Sequence, residues 1–415
     1  MKKNTNKIGK VKPNPLAWFI YVTGSKIYMS KRNKVIIDRT VFKNRNKKEG
    51  CIVLYNHSSN KDHFVTTLSF GFTRVAYVTT SHFYYSKKLS FVLKLARAIP
   101  KEQFKSDVST IKKIKRALNK KVPVAIAPTG QITVHGDALY FDPSIVKLLK
   151  MCKVDVYAIR MHGNYYAYPK WRKYYRDVPI HSEFVKVIDK KELETLSDDE
   201  IYKRTYDAIN VNDRQEQSKY NYQLHSQGLI EGIEDILYQC PKCMQKYQMA
   251  TSKDLLICNS CGNTVKMNEK GFLEGVSQNY VLMQNEAEWY KWEQRKMIQE
   301  INNNTFKLEG KFKLITNLHE QYVLEDAGTG KLVLTPDRFY YEGYIGDEIK
   351  TKEFKLDRLV QLPFEVRKHF DIPDDEGYFE LIPTDDENKA KIIQFVQAVE
   401  VISAMRQNRS LWQII

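Results

Sequence analysis

Residues 55–64 read Tyr55-Asn56-His57-Ser58-Ser59-Asn60-Lys61-Asp62-His63-Phe64 and continue the apolar run Cys51-Ile52-Val53-Leu54-Tyr55. That run is short, partly β-branched and ended by turn formers, which predicts a buried strand. A histidine at the exit of a strand, with a carboxylate able to orient it, can serve as a general base. On one ideal helix, residues five apart stand roughly 140° round from each other. His57 and Asp62 therefore meet only if the histidine lies on the turn and the aspartate on a helix that follows it. Asn60 is a candidate N-cap for that helix. The plainer reading is a polar turn with a solvated histidine. With 9 His in the chain, the pair alone does not decide.

The flanking sequence alternates short apolar runs with helical patterns. Residues 34–38, 74–79, 122–127, 153–160 and 182–188 read as strands, and residues 89–96 as a helix. Residues 107–118 form an amphipathic helix, with Ile111, Ile114 and Leu118 on one face and lysines elsewhere. This alternation predicts an α/β domain over residues 51–225, mainly a parallel sheet flanked by helices. Loops leaving the carboxyl ends of such strands build the active site. The His57 turn and the turn Pro128-Thr129-Gly130-Gln131 are both loops of that kind.

The order of these pieces resembles the glycerolipid (1-acylglycerol-3-phosphate, or lysophosphatidic acid) acyltransferase family over about residues 15–210. Asn56-His57 with Asp62 resembles its NHx4D motif. Ile99-Pro100-Lys101 occupies the place of its second block, where an arginine usually stands. Ala127-Pro128-Thr129-Gly130-Gln131-Ile132-Thr133 resembles its third block, usually Phe-Pro-Glu-Gly-Thr-Arg. Val154-Asp155-Val156-Tyr157-Ala158-Ile159 resembles its fourth. The resemblance implies a glycerol-3-phosphate acyltransferase-like fold, with His57 as base and Asp62 as its partner. Lys101, Thr129, Gly130 and Gln131 then fall at substrate-binding positions. Thr129 in place of the family's glutamate, and Lys101 in place of its arginine, leave the acceptor open.

Acyl transfer to an alcohol removes the hydroxyl proton as its oxygen attacks a thioester carbonyl. A neutral imidazole suits that task because its pKa lies near working pH. A glycine such as Gly130 lets backbone N–H groups approach an anionic group, and Lys101 can add a point charge. A plain turn is the simpler reading of residues 128–130. His63, His162 and His181 read as structural. Residues 165–176 interleave rings and cations, Tyr165-Tyr166-Ala167-Tyr168-Pro169-Lys170-Trp171-Arg172-Lys173-Tyr174-Tyr175-Arg176. Such a stretch can stack bases or sit at a headgroup layer, and the family resemblance favours the second.

The 415-residue length implies two to three domains. With 42% hydrophobic residues and 12% aromatics, wholesale disorder is excluded. The formal net charge is +17, from 66 Lys+Arg against 49 Asp+Glu, which points to an anionic partner. The excess is marked in residues 1–50, which hold 14 Lys+Arg and only Asp38 and Glu49 as acids. Leu16-Ala17-Trp18-Phe19-Ile20-Tyr21-Val22 is too short to span a membrane and carries no convincing cleavage site. It reads either as an interfacial helix on a membrane or as an ordinary first helix. The expectation is a peripheral protein on the cytoplasmic face of the membrane, with no transmembrane span and no cleaved signal peptide.

Six cysteines occur. Cys51 and Cys152 fall in strand-like contexts; the others form Cys240-Pro241-Lys242-Cys243 and Cys258-Asn259-Ser260-Cys261. Two such knuckles, 14 residues apart, suit one tetrahedral zinc site in a reducing compartment. A structural Zn2+ ribbon is expected over residues 236–270, and a linking helix over 284–304. Beyond it, residues 311–315, 321–325, 331–335, 338–341, 352–356, 359–362 and 378–382 read as strands, with a turn at Ala327-Gly328-Thr329-Gly330. Residues 388–406 form an amphipathic helix. This pattern over residues 305–408 resembles a PH/GRAM-like β-barrel closed by a C-terminal helix.

The resemblance implies a membrane-associated O-acyltransferase. It would move a fatty acyl group from acyl-CoA or acyl carrier protein to a lysophospholipid such as 1-acylglycerol-3-phosphate. A catalytically degenerate acyltransferase-fold scaffold that binds lipid is the alternative, motivated by Thr129. Nucleic-acid binding through the ribbon ranks last, since it accounts for nothing in residues 50–160.

Overall fold

The structure is a computed structural model and describes residues 11–102, 108–276, 278, 280–281, 283–318, 323–409 and 411. The basic leader before residue 11, Gln103, Phe104, Asp107 and the start of the strand expected at 321–325 lie outside the described residues. The chain divides into two compact units, Met1–Thr133 with Asp137–Ala167 and Val178–Asp213, and Val134–Gly136 with Tyr168–Asp177 and Arg214–Ile415.

The first unit is a seven-stranded sheet covered by helices. Its strands are β1 (Val35–Asp38), β2 (Ile52–Tyr55), β3 (Ala76–Thr80), β4 (Ile99–Lys101), β5 (Val124–Ile126), β6 (Val156–His162) and β7 (Ile180–Ile188), in the order β1-β7-β6-β2-β5-β3-β4. Every neighbouring pair is parallel except β6 with β7. Strand β2 sits between β5 and β6, and Ile52, Val53 and Leu54 are fully buried. Burial on both faces is why the strand reads as an unbroken apolar run.

The helices of this unit are α1 (Pro15–Ser30), α2 (Thr40–Lys43), α3 (Asp62–Phe70), α4 (Lys87–Leu95), α5 (Val108–Asn119), α6 (Ser144–Cys152), α7 (Asn164–Ala167) and α8 (Asp198–Ile209). Helix α1 begins at Pro15, and the Asn14 side chain accepts from the Leu16 and Ala17 amides, a favoured start. It packs on α3 through Tyr28 stacked on Phe64 at 4.6 Å, and Trp18 Nε1 donates to the Gly71 carbonyl. Cys152 closes helix α6 and is not in a strand. Asn60 is not the N-cap of α3: Lys61 holds that position without a side-chain bond. Ser59 Oγ and the Asp62 carboxylate take the free amides there instead.

The second unit opens with α9 (Gln217–Tyr220) and a four-stranded antiparallel sheet of β8 (Met249–Ser252), β9 (Leu255–Cys258), β10 (Thr264–Met267) and β11 (Leu273–Gly275). Helix α10 (Glu286–Asn302) follows, capped by Asn285. Beyond it lie β12 (Leu308–Thr316), β13 (Glu325–Leu334), β14 (Phe339–Ile345), β15 (Glu348–Phe354), β16 (Phe364–Glu365), β17 (His369–Asp374), β18 (Gly377–Pro383) and α11 (Asp386–Arg406). The seven strands run β15-β14-β13-β12-β18-β17-β16. No ladder joins β16 back to β15 among the described residues, so the seven strands form an antiparallel sheet without the closure expected of a barrel being shown. On the helix-facing side, Phe312 of β12 and Phe370 of β17 meet Phe395 of α11, with ring centroids 5.4–5.5 Å apart.

Two local expectations change here, and one strand was missed. Ala327-Gly328-Thr329-Gly330 is no turn but the middle of β13, beside a register shift at Leu314/Ile315. Gly328 has φ +125, and a Cβ on Gly330 would stand 2.7 Å from the Gly343 Cα on β14. The glycines thus mark a bulge and a close backbone approach. Residues 359–362 are not a strand, whereas β17, unrecognised in the sequence, is.

The interleaved stretch 165–176 is largely interior. Tyr165, Tyr166, Tyr168, Trp171, Arg172 and Arg176 are buried, and Tyr174 and Tyr175 are exposed. In the second unit, Arg172 donates to the Gln227 and Gly228 carbonyls and Arg176 to that of Leu229. A Cβ on Gly232 would lie 2.3 Å from the Trp171 carbonyl oxygen. Most rings and cations of this stretch therefore pack in the interior, while Lys173, Tyr174 and Tyr175 face solvent.

Candidate active site and cysteine cluster

The parallel strands bring their carboxyl ends to one edge of the sheet, and the site grows from the loops there. The chain leaves β2 at Asn56, whose side chain takes the place of another ladder rung: its Oδ1 accepts from the Met161 amide at 2.8 Å and its Nδ2 donates to the Met161 carbonyl at 3.0 Å. This bidentate clamp fixes the start of the turn. His57 follows on the turn and Asp62 opens α3, the arrangement that their spacing requires. His57 Nδ1 lies 2.5 Å from Asp62 Oδ2. The amides of Ser58 and Ser59 donate to the same oxygen at 3.0 and 3.2 Å. Asn164 Nδ2, at the exit of β6, donates to Asp62 Oδ1.

Asp62 is buried, and burial pushes its carboxyl above the usual range, while His57 and the Ser59 and Ser58 amides pull it down. The amide groups around it offer protons and accept none. That donor set favours the carboxylate, with His57 carrying its proton on Nδ1 and presenting Nε2 as the base. The ring is one-quarter exposed, and Nε2 makes no hydrogen bond among the described residues. The geometry can take a proton from a group arriving at that open nitrogen.

The turn after β5 reaches the same edge, and the Thr133 amide donates to the His57 carbonyl at 3.0 Å. Gly130 has φ +62, and nothing lies within 4 Å of where a Cβ would project, so backbone at this turn is approachable. Thr129 is buried, and its Oγ1 donates to the Gln131 carbonyl at 2.9 Å. Gln131 is also buried, with no hydrogen-bond partner for Oε1 among the described residues. Lys101 ends β4, paired with Thr80 of β3, and its Nζ donates to the Glu102 carbonyl. All four thus stand on loops or strand ends at the edge that carries His57. Asn164 was missed in the sequence. The available signal was Gly163-Asn164 at the exit of a strand, the same setting as Asn56-His57.

Residues 37–162 match the sequence model of the Acyltransferase family. The chain carries an acyltransferase domain. No curated protein sequence matches the chain. Among solved structures it is similar to the 1-acyl-sn-glycerophosphate (LPA) acyltransferase PlsC of Thermotoga maritima, with 15% identity, 49% of this chain and 79% of that one covered, and a TM-score of 0.41. It is also similar to the PH domain of human oxysterol-binding protein-related protein 11, with 11% identity, 25% and 84% covered, and a TM-score of 0.17. At these scores neither superposition decides anything, and the assignment rests on the family match.

In the second unit, ligand atoms of Cys240, Cys243, Cys258 and Cys261 all lie within 4.8 Å of one another. Cys240 and Cys261 sulfurs are 3.7 Å apart, as are those of Cys243 and Cys258. The Met244 amide closes the first knuckle on the Cys240 carbonyl, and the Gly262 amide closes the second on Cys258. Both closing residues have positive φ, +64 and +70, which costs Gly262 little. Amides of Lys242 and Cys243 point at the Cys240 sulfur, and those of Ser260 and Cys261 at Cys258.

Proposed function

We propose that the protein is a membrane-associated O-acyltransferase. It transfers a fatty acyl group from an acyl-CoA or acyl carrier protein thioester to the hydroxyl of a lysophospholipid such as 1-acylglycerol-3-phosphate. The observation that carries this reading is the open Nε2 of a histidine whose Nδ1 is held by a buried aspartate, within a match to the Acyltransferase family. His57 takes the acceptor's hydroxyl proton on Nε2 as that oxygen bonds to the thioester carbonyl carbon. The tetrahedral intermediate collapses, the C–S bond breaks, and the leaving thiolate takes the proton back from the imidazolium. Asp62 holds the ring's orientation and stabilises its charged form, and backbone at the Gly130 turn can meet the oxyanion or the acceptor's phosphate.

The test is turnover of a lysophosphatidic acid with an acyl-CoA on vesicles. His57→Ala should abolish it, and unchanged turnover would overturn the mechanism. Thr129, bonded into its own loop, favours the second reading of a lipid-binding scaffold without chemistry. No turnover with any lysolipid, alongside vesicle binding, would favour that one.

Zn2+ suits the cysteine cluster. A tetrahedral site with Zn–S near about 2.3 Å sets sulfurs roughly 3.8 Å apart, close to the 3.7 Å found here. All four cysteines would hold it, and its contribution is folding energy.

The membrane face belongs to the first unit. Leu16, Phe19 and Ile20 of α1, Phe72, and Phe91 and Val92 of α4 are exposed. Phe19 stacks on Phe72 at 5.9 Å, and the Asn14 amide bonds to the Leu95 carbonyl, so these side chains share one surface. Exposed Lys12, Lys26, Lys88 and Lys94 lie on the same segments. Apolar rings beside lysines suit an anionic bilayer surface. No helix of the described residues is long and apolar enough to cross a membrane.

A further inference from the structure

One face of β17 and β18 gathers several charged side chains. The register sets Asp371 of β17 directly opposite Glu380 of β18, and His369 opposite Glu365 of β16. Alternate residues of a strand share a face. His369, Asp371, Glu380 and Glu365 therefore project from one side of the sheet, while Phe370, Ile372, Phe379 and Leu381 fill its buried side. Carboxylates directly opposed on neighbouring strands repel. Yet ligand atoms of His369, Asp371 and Glu380 lie within 4.8 Å of one another, and His369 Nδ1 stands 4.0 Å from Glu380 Oε1.

Asp371 adds an independent sign. It is only 6% exposed, and its Oδ1 finds no hydrogen-bond partner among the described residues. A carboxylate oxygen kept from water without a donor is costly unless a cation meets it. Glu380 and Glu365 lie near enough to repel this carboxylate, while the Tyr378 side chain and Lys170 attract it. Lys170 supplies attraction from a distance, but its ammonium sits 3.8 Å over the ring of Phe364 and makes no ion pair with Asp371.

We infer that His369, Asp371 and Glu380 form a binding site for a divalent first-row metal ion, separate from the four-cysteine cluster. One imidazole nitrogen with two carboxylates suits ions such as Mn2+, whereas four thiolates select softer ones. The cation offsets the repulsion between the opposed carboxylates and ties β17 to β18. Three protein ligands also leave positions open to water.

Mn2+ is the probe, since the thiolate cluster disfavours it and electron paramagnetic resonance counts it directly. The full-length protein, loaded with one equivalent of Zn2+, is titrated with Mn2+. The expected result is saturation at one Mn2+ per chain. His369→Ala, Asp371→Asn and Glu380→Gln should each weaken that binding at least tenfold, with the circular dichroism spectrum unchanged. Lys170→Met should leave it intact or tighten it, because a like charge is removed. Should Asp371→Asn disturb folding, the two less buried ligands His369 and Glu380 carry the comparison. Absence of saturable Mn2+ uptake, or equal affinity in Glu380→Gln and the unaltered protein, would overturn the site.

Discussion

Asn164 donates its side-chain amide to the carboxylate of Asp62, across 102 residues of sequence. The bond links the exit of β6 to the first turn of α3, so the aspartate that holds His57 is itself held from the far side. Hydrogen bonds to charged groups contribute on the order of 1.5–3 kcal/mol. If that orientation matters most in the transition state, Asn164→Ala should lower kcat roughly ten- to hundredfold with little change in KM. Asp62→Asn should cost more, on the order of 10⁴-fold, by disturbing the tautomer of the base. Steady-state kinetics across pH on folded variants decide this. Equal rates for Asn164→Ala and the unaltered enzyme would assign the bond to folding alone.

The cysteine cluster is expected to hold the ribbon together. Structural zinc of this kind supplies about 10–16 kcal/mol of apparent folding energy. Cys258→Ser should therefore lose bound zinc by elemental analysis and lower the melting temperature of the second unit. Retained zinc with an unchanged melt would count against a four-thiolate site.

Glu293 on α10 is fully buried and accepts from the Gln239 amide and from Gln397 Nε2 of α11. Burial pushes its carboxyl up to about 8, against those two hydrogen bonds. Its folded pKa thus lies above the unfolded one near about 4.3, so the folded state holds the extra proton in that window. Stability contributed by this group is full below the unfolded pKa and falls as pH rises towards about 8. Melting curves from pH 5 to pH 8 should show this decline, and Glu293→Gln should flatten it.

The exposed apolar surface of α1 and Phe72 gives a binding prediction. Phe19→Glu with Phe72→Glu should cut co-sedimentation with anionic vesicles several-fold, because it replaces exposed rings able to enter the bilayer with charges that an anionic surface repels. Raised salt should weaken binding of the unaltered protein. Undiminished co-sedimentation of the double variant would move the membrane face elsewhere.

Much of this protein was legible because the signals are local. A β-branched run ending in small polar residues made β2 and its turn. The five-residue spacing of His57 and Asp62 demanded a turn and then a helix, and the chain supplies both. Two Cys-x-x-Cys knuckles announced four converging sulfurs, and periodic apolar residues marked α10 and α11. Other expectations failed where the deciding partner lies far along the chain. Trp171, Arg172 and Arg176 look like surface residues until residues 227–232 cover them. Gly328 and Gly330 look like a turn until β14 packs against them.

The sequence by itself determined the pairing of His57 with Asp62, the four converging thiols and the alternation that makes a parallel sheet, since each depends on spacings of a few residues. Only the tertiary structure decided that Asn164 braces Asp62, that β12 lies between β13 and β18 in the second unit, and that His369 and Asp371 meet Glu380. Those relationships depend on strand order and register, which bring together residues whose separation along the chain carries no period to read.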